Sequence, residues 1–159
     1  MEHVAYIALG SNLEPRVETL LQAVAMLDEE PDICVRCVSQ LIQTEPVGGV
    51  RQAKFMNGAA RLVATLTPEG LLGALLRIEA SLGRDRSAEQ RWGPRTCDLD
   101  LLLVDNLVMH TPRLTLPHPR MHERLFVLRP LAEIAPDLVH PVLKKTVRQL
   151  LADLERKPA

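Results

Sequence analysis

The chain opens on an apolar run, Val4 to Leu9, that gives way to Gly10-Ser11-Asn12, the pattern of a buried strand leaving through a turn. Val17, Leu20, Leu21, Val24 and Leu27 then recur at helical spacing, with Pro15 suited to the first turn and Pro31 just past the end. A β-branched stretch, Ile33 to Gln43, predicts a second strand, and Phe55 to Leu66 predicts a third. Between these two, Thr44 to Lys54 carries Pro46, Gly48, Gly49 and few large apolar groups, so it predicts a loop long enough to close over a ligand. Thr67-Pro68-Glu69 is a helix start, with an N-cap hydroxyl, proline at the first helical position and an acid in the first turn. Leu71, Leu72, Leu75, Leu76 and Ile78 supply its apolar stripe.

Gly83 ends that helix, and a second polar loop, Arg84 to Arg95, leads into a strand that begins at Asp98. Asp105-Asn106 predicts a hairpin turn into Leu107, Val108 and Met109. Pro112 to Pro119 reads as extended, Met121 to Glu133 as a helix interrupted near Pro130, and Val147, Leu150, Leu151 and Leu154 as a closing amphipathic helix. Helices alternate with strands, yet several strand pairs have no helix between them, so the sheet should be largely antiparallel. The expected fold is an α+β, ferredoxin-like sandwich forming one domain over residues 1–159.

With 159 residues, the chain is long enough to bury about 70% of its unfolded surface around a single core. A formal net charge of -1 gives no overall field to attract nucleic acid or membrane, so any anion must be bound locally. No apolar run approaches the roughly 20 residues needed to cross a bilayer, and the first residues lack a basic stretch followed by an apolar one. The expectation is a cytoplasmic monomer. Cys34-x-x-Cys37 invites a redox or zinc reading, but an offset of three along a strand puts the thiols on opposite faces, and no second pair completes a zinc set. Ordinary reduced cysteines are expected there and at Cys97. His118 and His122 are four apart with Pro119 between them and lack a His-Glu-x-x-His pattern, which argues against zinc.

The chemistry concentrates in Arg91-Trp92-Gly93-Pro94-Arg95-Thr96-Cys97-Asp98-Leu99-Asp100-Leu101-Leu102-Leu103. Side chains two apart on a strand share a face roughly 7 Å apart, so Asp98 and Asp100 can share one or two Mg²⁺ ions. Mg²⁺ is held by one or two carboxylates plus the phosphates of its substrate. Leu99, Leu101 and Leu103 are expected to face the other way, with Leu102 and Val104 continuing the aspartate face. Arg84, Arg86, Arg91 and Arg95 crowd the preceding loop, and a guanidinium matches phosphate oxygens two at a time. An edge strand guarded by acids would not explain why the acids stop after two positions. No phosphate loop of the G-x-x-x-x-G-K-[ST] type and no Gly-x-Gly dinucleotide signature is present, so a bound nucleotide would be held by side chains and metal.

This run resembles the signature of the 6-hydroxymethyl-7,8-dihydropterin pyrophosphokinases, enzymes of the folate pathway. The likeness extends through Ala5-Tyr6-Ile7-Ala8-Leu9-Gly10-Ser11-Asn12-Leu13, Thr44-Glu45-Pro46-Val47-Gly48, Phe55-Met56-Asn57 and Leu116-Pro117-His118-Pro119-Arg120-Met121. The resemblance implies the same ferredoxin-like fold and transfer of pyrophosphate from ATP to the pterin hydroxymethyl oxygen, giving AMP and the pterin diphosphate. It implies two Mg²⁺ ions on Asp98 and Asp100, with Arg84 and Arg95 neutralising charge on the transferred group. ATP would be held by Glu79, Arg84, Trp92, Arg95, Arg113, Thr115, His118 and Arg124.

The pterin would lie between Phe55 and Phe126, with Asn57 and Asp98 at its edge and Thr44, Glu45, Pro46, Val47 and Gly48 completing that edge. From residues alone, Phe55 and Phe126 read equally as core, and His118 as a surface histidine in a proline-rich turn. Leu76 stands where some members carry glutamine beside the base, and the second loop is one residue longer than in some relatives. Two rivals remain: another Mg²⁺-dependent nucleotidyltransferase or phosphohydrolase, and a non-catalytic RNA-binding module. The RNA reading is poorly served by a chain with 3% aromatic residues and no net positive charge.

Overall fold

The first apolar run becomes a strand that is covered on both faces. In the computed structural model, which describes residues 1–11, 16–44, 55–82 and 97–157, β1 (His3–Ser11) pairs antiparallel with β4 (Phe55–Ala64) on one side. On its other side it pairs antiparallel with β5 (Asp98–Val104). β2 (Ile33–Val38) lies outside β4, giving the order β2-β4-β1-β5, and the short β3 (Ile42–Thr44) also pairs with β4. α1 (Arg16–Glu29) connects β1 to β2, and α2 (Pro68–Ser81) connects β4 to β5. Each helix therefore bridges two parallel strands with an antiparallel one inserted between them, the ferredoxin-like α+β arrangement.

Alternation along the strands divides the interior into two cores. Ala5, Ile7, Leu9, Leu62, Leu99 and Leu101 point toward α1 and α2, where Leu20, Ala23, Leu27, Leu71, Leu75 and Ile78 meet them. Tyr6, Ala8 and Ala59 point the other way, under α3 (Leu125–Ile134) and α4 (Val147–Arg156), against Met121, Val127, Leu128 and Leu131. Covering both faces removes the bare sheet surface that an RNA-binding module of this topology needs. The α1 stripe is narrower than its spacing suggests, because Ala23 is buried while Val17 and Leu21 face outward, as does Leu76 on α2.

Helix starts follow local chemistry. The Thr67 hydroxyl accepts the Gly70 N–H at 3.1 Å ahead of Pro68, as expected, and Thr146 with Gln149 forms a reciprocal capping box on α4.

Five expectations need correction. Ile33 to Gln43 is not one strand: it breaks at Ser39–Leu41, where the Ser39 hydroxyl accepts the Ala59 N–H at 2.9 Å. A bulge between Val35 and Cys37 sets Cys34 opposite Val63 and Cys37 opposite Arg61, so the two thiols share a face instead of alternating. A second bulge, between Tyr6 and Ile7, pairs Tyr6 with Leu103 and Ile7 with Leu101. Leu102 is the extra residue, so Leu103 joins Leu102 in the α3/α4 core and Val104 returns to the α1/α2 core.

The turn after β5 forms at Asp105, at φ 49°, but β6 (Met109–His110) pairs with β7 (Thr115–Leu116), not with β5. Finally, the helix expected over Met121 to Glu133 breaks at Arg124, whose extended backbone separates a 3₁₀ turn (Met121–Glu123) from α3; Pro130 lies inside α3.

Carboxylates occupy several N–H groups that strand pairing leaves open. Asp28 accepts from Val35 at 2.9 Å on the β2 edge, Glu79 from Leu99 at 2.7 Å on the β5 edge, and Glu133 from Gln40 at 2.7 Å in the gap between β2 and β3.

Candidate active site

Strand register assembles the site on the α3 side of the sheet. Residues directly paired on antiparallel strands point to the same face. Gly10 is paired with Asn57 of β4 and with Asp98 of β5, so Asn57, Gly10 and Asp98 form one row across three strands. The next row is Ala59, Ala8 and Asp100. The middle strand thus contributes no side chain beyond a methyl between the amide and the two carboxylates. A Cβ on Gly10 would lie only 3.2 Å from Asn57 Oδ1, so the amide sits over this glycine. Asn57 is buried, Asp98 half-buried and Asp100 exposed, while Leu99 between the acids is buried on the helix side. The acids therefore do share a face, at the end of a strand that turns fully apolar from Leu101 onward.

A second wall comes from the segment after β7. The His118 N–H donates to the Leu102 carbonyl at 2.9 Å, which pins this segment two residues beyond Asp100. The Arg120 N–H donates to His118 Nδ1 at 3.1 Å, leaving the ring proton on Nε2. Burial holds the His118 pKa below the ordinary histidine value; Asp100 pulls it back up, and Arg124 and Arg120 push it down. At neutral pH His118 is an uncharged N–H donor amid three charges. Arg124 occupies the N-cap position of α3 without a side-chain capping bond, and its guanidinium carbon lies 5.8 Å from the Phe126 ring centroid, within cation–π range. Phe126 is half-buried against the α3/α4 core, and Phe55 is half-buried two residues before Asn57 on the same face of β4.

Glu79 stands on the opposite side of the sheet. It is buried, and its carboxylate grips the Leu99 N–H between the two aspartates. Cys97, beside it, is pushed up to about 12, first by burial and then by the charges of Glu79 and Asp98. Arg113 is exposed at the tip of the β6–β7 hairpin, and Thr115 is half-buried opposite His110.

The structure thus brings together Asp98, Asp100, Asn57, Phe55, His118, Arg124 and Phe126, and places Glu79 behind them. Thr44 ends β3 opposite Phe55. Glu45, Pro46, Val47, Gly48, Arg84, Trp92 and Arg95 lie outside the described residues, as do most of the Thr44 to Lys54 loop and all of the Arg84 to Arg95 loop. Two contributors were missed. Gly10 is legible only once its two pairing partners are known, and Arg120 acts on His118 through its backbone N–H, which no side-chain pattern signals.

The chain is similar to known proteins over most of its length. Residues 6–136 match the family model described as 7,8-dihydro-6-hydroxymethylpterin-pyrophosphokinase (HPPK). A Bacillus subtilis 2-amino-4-hydroxy-6-hydroxymethyldihydropteridine pyrophosphokinase is 51% identical over 134 residues, covering 84% of this chain and 79% of the relative. A protein of the same description from Methylorubrum extorquens is 46% identical over 151 residues, covering 95% and 93%. Among solved structures, a Plasmodium falciparum HPPK-DHPS chain superposes with a TM-score of 0.75 at 15% identity. That match covers 96% of this chain and 45% of the larger one, and it bears on the fold alone.

Proposed function

The chain belongs to the 7,8-dihydro-6-hydroxymethylpterin pyrophosphokinase family, and from that premise we propose how its own residues divide the work. It transfers a pyrophosphoryl group from ATP to the hydroxymethyl group of 6-hydroxymethyl-7,8-dihydropterin, giving AMP and the pterin diphosphate in folate biosynthesis. The observation that carries the assignment of roles is the row Asn57–Gly10–Asp98, which puts a hydrogen-bonding amide and a carboxylate on either side of a bare strand.

The donor set suits magnesium. Asp98 and Asp100 offer hard oxygens on one face, and among the described residues no third His, Cys, Asp or Glu completes a protein-only cage with them. Mg²⁺ is usually satisfied by two carboxylates when substrate phosphates supply the rest. Asp98 and Asp100 would hold two such ions. When bound, magnesium neutralises the triphosphate and acidifies the attacking hydroxyl.

The remaining work is positioning and charge neutralisation, as is general for phosphoryl transfer. Asn57 donates and accepts along the amide edge of the pterin, and the rings of Phe55 and Phe126 hold its faces. Residues 44–48 complete that edge. His118, fixed as the Nε2–H tautomer, donates to a phosphate oxygen and is not a proton acceptor; Asp100 is the nearest acceptor for the hydroxyl proton. Arg84, Arg95 and Arg124 neutralise the transferred group, while Trp92, Arg113 and Thr115 hold the nucleotide. Glu79 acts at one remove, by fixing the backbone between the two aspartates. A cytoplasmic, monomeric single domain over 1–159 is part of the same reading.

Product identity tests it. With Mg-ATP and the pterin alcohol, AMP should accumulate with the pterin diphosphate and without ADP, whereas release of inorganic diphosphate would mean nucleotidyl transfer. Asp98→Asn should abolish turnover and leave the circular dichroism spectrum unchanged; normal turnover by this variant would refute the assignment of the acids.

A further inference from the structure

Away from this site, the β2 edge holds a pair of thiols that register brings together. Cys34 is paired with Val63 and Cys37 with Arg61. Val63 and Arg61 are two apart on β4 and point to one side, so the two cysteines do as well. Val35 and Val38, which alternate with them, pack against the α1/α2 core, so the thiols lie on the opposite face. Both are free and half-buried, and neither belongs to either core. Arg61 shares their face, is half-buried, and makes no ion pair among the described residues.

We propose that Cys34 and Cys37 form a two-coordinate site for a soft monovalent cation, Cu(I). Two pairing steps along the strand separate the Cα atoms by about 7 Å. That is at or beyond the limit for a disulfide, which requires Cα atoms within roughly 6.8 Å and Cβ atoms within roughly 4.5 Å. Two metal–sulfur bonds of about 2.3 Å each span up to ~4.6 Å between sulfurs, which side chains converging from those positions reach. Thiolate sulfur selects soft ions, and no third ligand gathers beside the pair among the described residues, so four-coordinate zinc is not served. Binding releases one proton from each thiol. The cuprous dithiolate carries one net negative charge, and Arg61, directly opposite Cys37, is the cation that faces it.

The test is an anaerobic titration of the full chain with Cu(I) against a competing cuprous chelator, with turnover followed in parallel. One ion per chain should be withdrawn from the chelator. Cys34→Ser and Cys37→Ser should each lose it, Cys97→Ser should keep it, and Arg61→Gln should weaken it about tenfold. Turnover should not change on loading. Retention of copper by either single serine variant would overturn the proposal, as would a stoichiometry of one ion per two chains, or an air-formed Cys34–Cys37 disulfide in a chain that binds no Cu(I). Should a serine variant misfold, the folded wild-type chain alkylated at both positions serves instead, and copper retention by that chain counts equally against the site.

Discussion

Gly10→Ala isolates what the bare middle strand contributes. The new Cβ would stand 3.2 Å from Asn57 Oδ1 and 4.0 Å from the Met56 carbonyl oxygen, so the amide must yield by a few tenths of an ångström. For stability, crowding of about 1 kcal/mol is set against the roughly 0.4–1 kcal/mol gained by removing glycine's freedom from the unfolded chain, and the melting temperature should barely move. Function should respond more strongly. Displacing the amide weakens hydrogen bonds to the pterin by about 1–2 kcal/mol in total, which is about 5- to 30-fold in pterin KM.

ATP binding rests on other residues, so the KM for ATP should stay near the wild-type value. Steady-state kinetics with each substrate varied, together with thermal melts of both proteins, measures all of this. The decisive control is Asn57→Ala: with the amide gone, adding Gly10→Ala should cost nothing further. Full additivity of the two substitutions in pterin KM, or equal rises in both KM values, would refute the reasoning.

Three other outcomes follow from the same geometry. Glu79→Ala strands the buried Leu99 N–H and should cost about 2 kcal/mol in denaturant unfolding, while Glu79→Gln, which keeps an acceptor oxygen, should cost much less; equal losses would show that the hydrogen bond is not the source. Burial holds His118 below the ordinary histidine value, and burial plus neighbouring His122 does the same to His140, whose Nδ1 accepts the Val142 and Leu143 N–H groups. The unfolded chain therefore binds more protons in this range, so stability is complete above the unfolded histidine pKa of about 6.5 and falls as pH drops through the lower folded values. Denaturation midpoints at a series of pH values should show this decline, and His140→Gln should flatten it. Cys97, with its pKa near 12, should resist iodoacetamide in the folded state while Cys34 and Cys37 react; mass mapping of the labelled chain decides.

The legible parts of this fold were those governed by short-range chemistry. Thr67-Pro68-Glu69 announced α2, the apolar spacing at 147–154 announced α4, and Asp98 with Asp100 announced a carboxylate face, because caps, helical periods and strand alternation are set by residues a few positions apart. The errors came where a single inserted residue shifts everything downstream. The bulges at Arg36 and Leu102 carry no glycine or proline, so nothing local marks them. They reversed the orientations expected for Cys37, Leu103 and Val104. The helix break at Arg124 was missed because Pro130 is the stronger breaker in isolation, yet α3 accommodates it in its interior. Gly10 needed long-range knowledge of another kind: its importance depends on Asn57 and Asp98, far away along the chain and adjacent only after three strands align.

The acids along the sheet margins bear on how this fold behaves in company. A β-sheet with open borders invites a neighbour's strand to zip alongside, and that hazard grows when a domain is tethered to another polypeptide and held at high local concentration. Here Asp28 and Glu79 have already taken N–H groups on the two outermost strands. A border whose donors are already occupied in this way leaves a passing strand fewer open backbone groups to pair with.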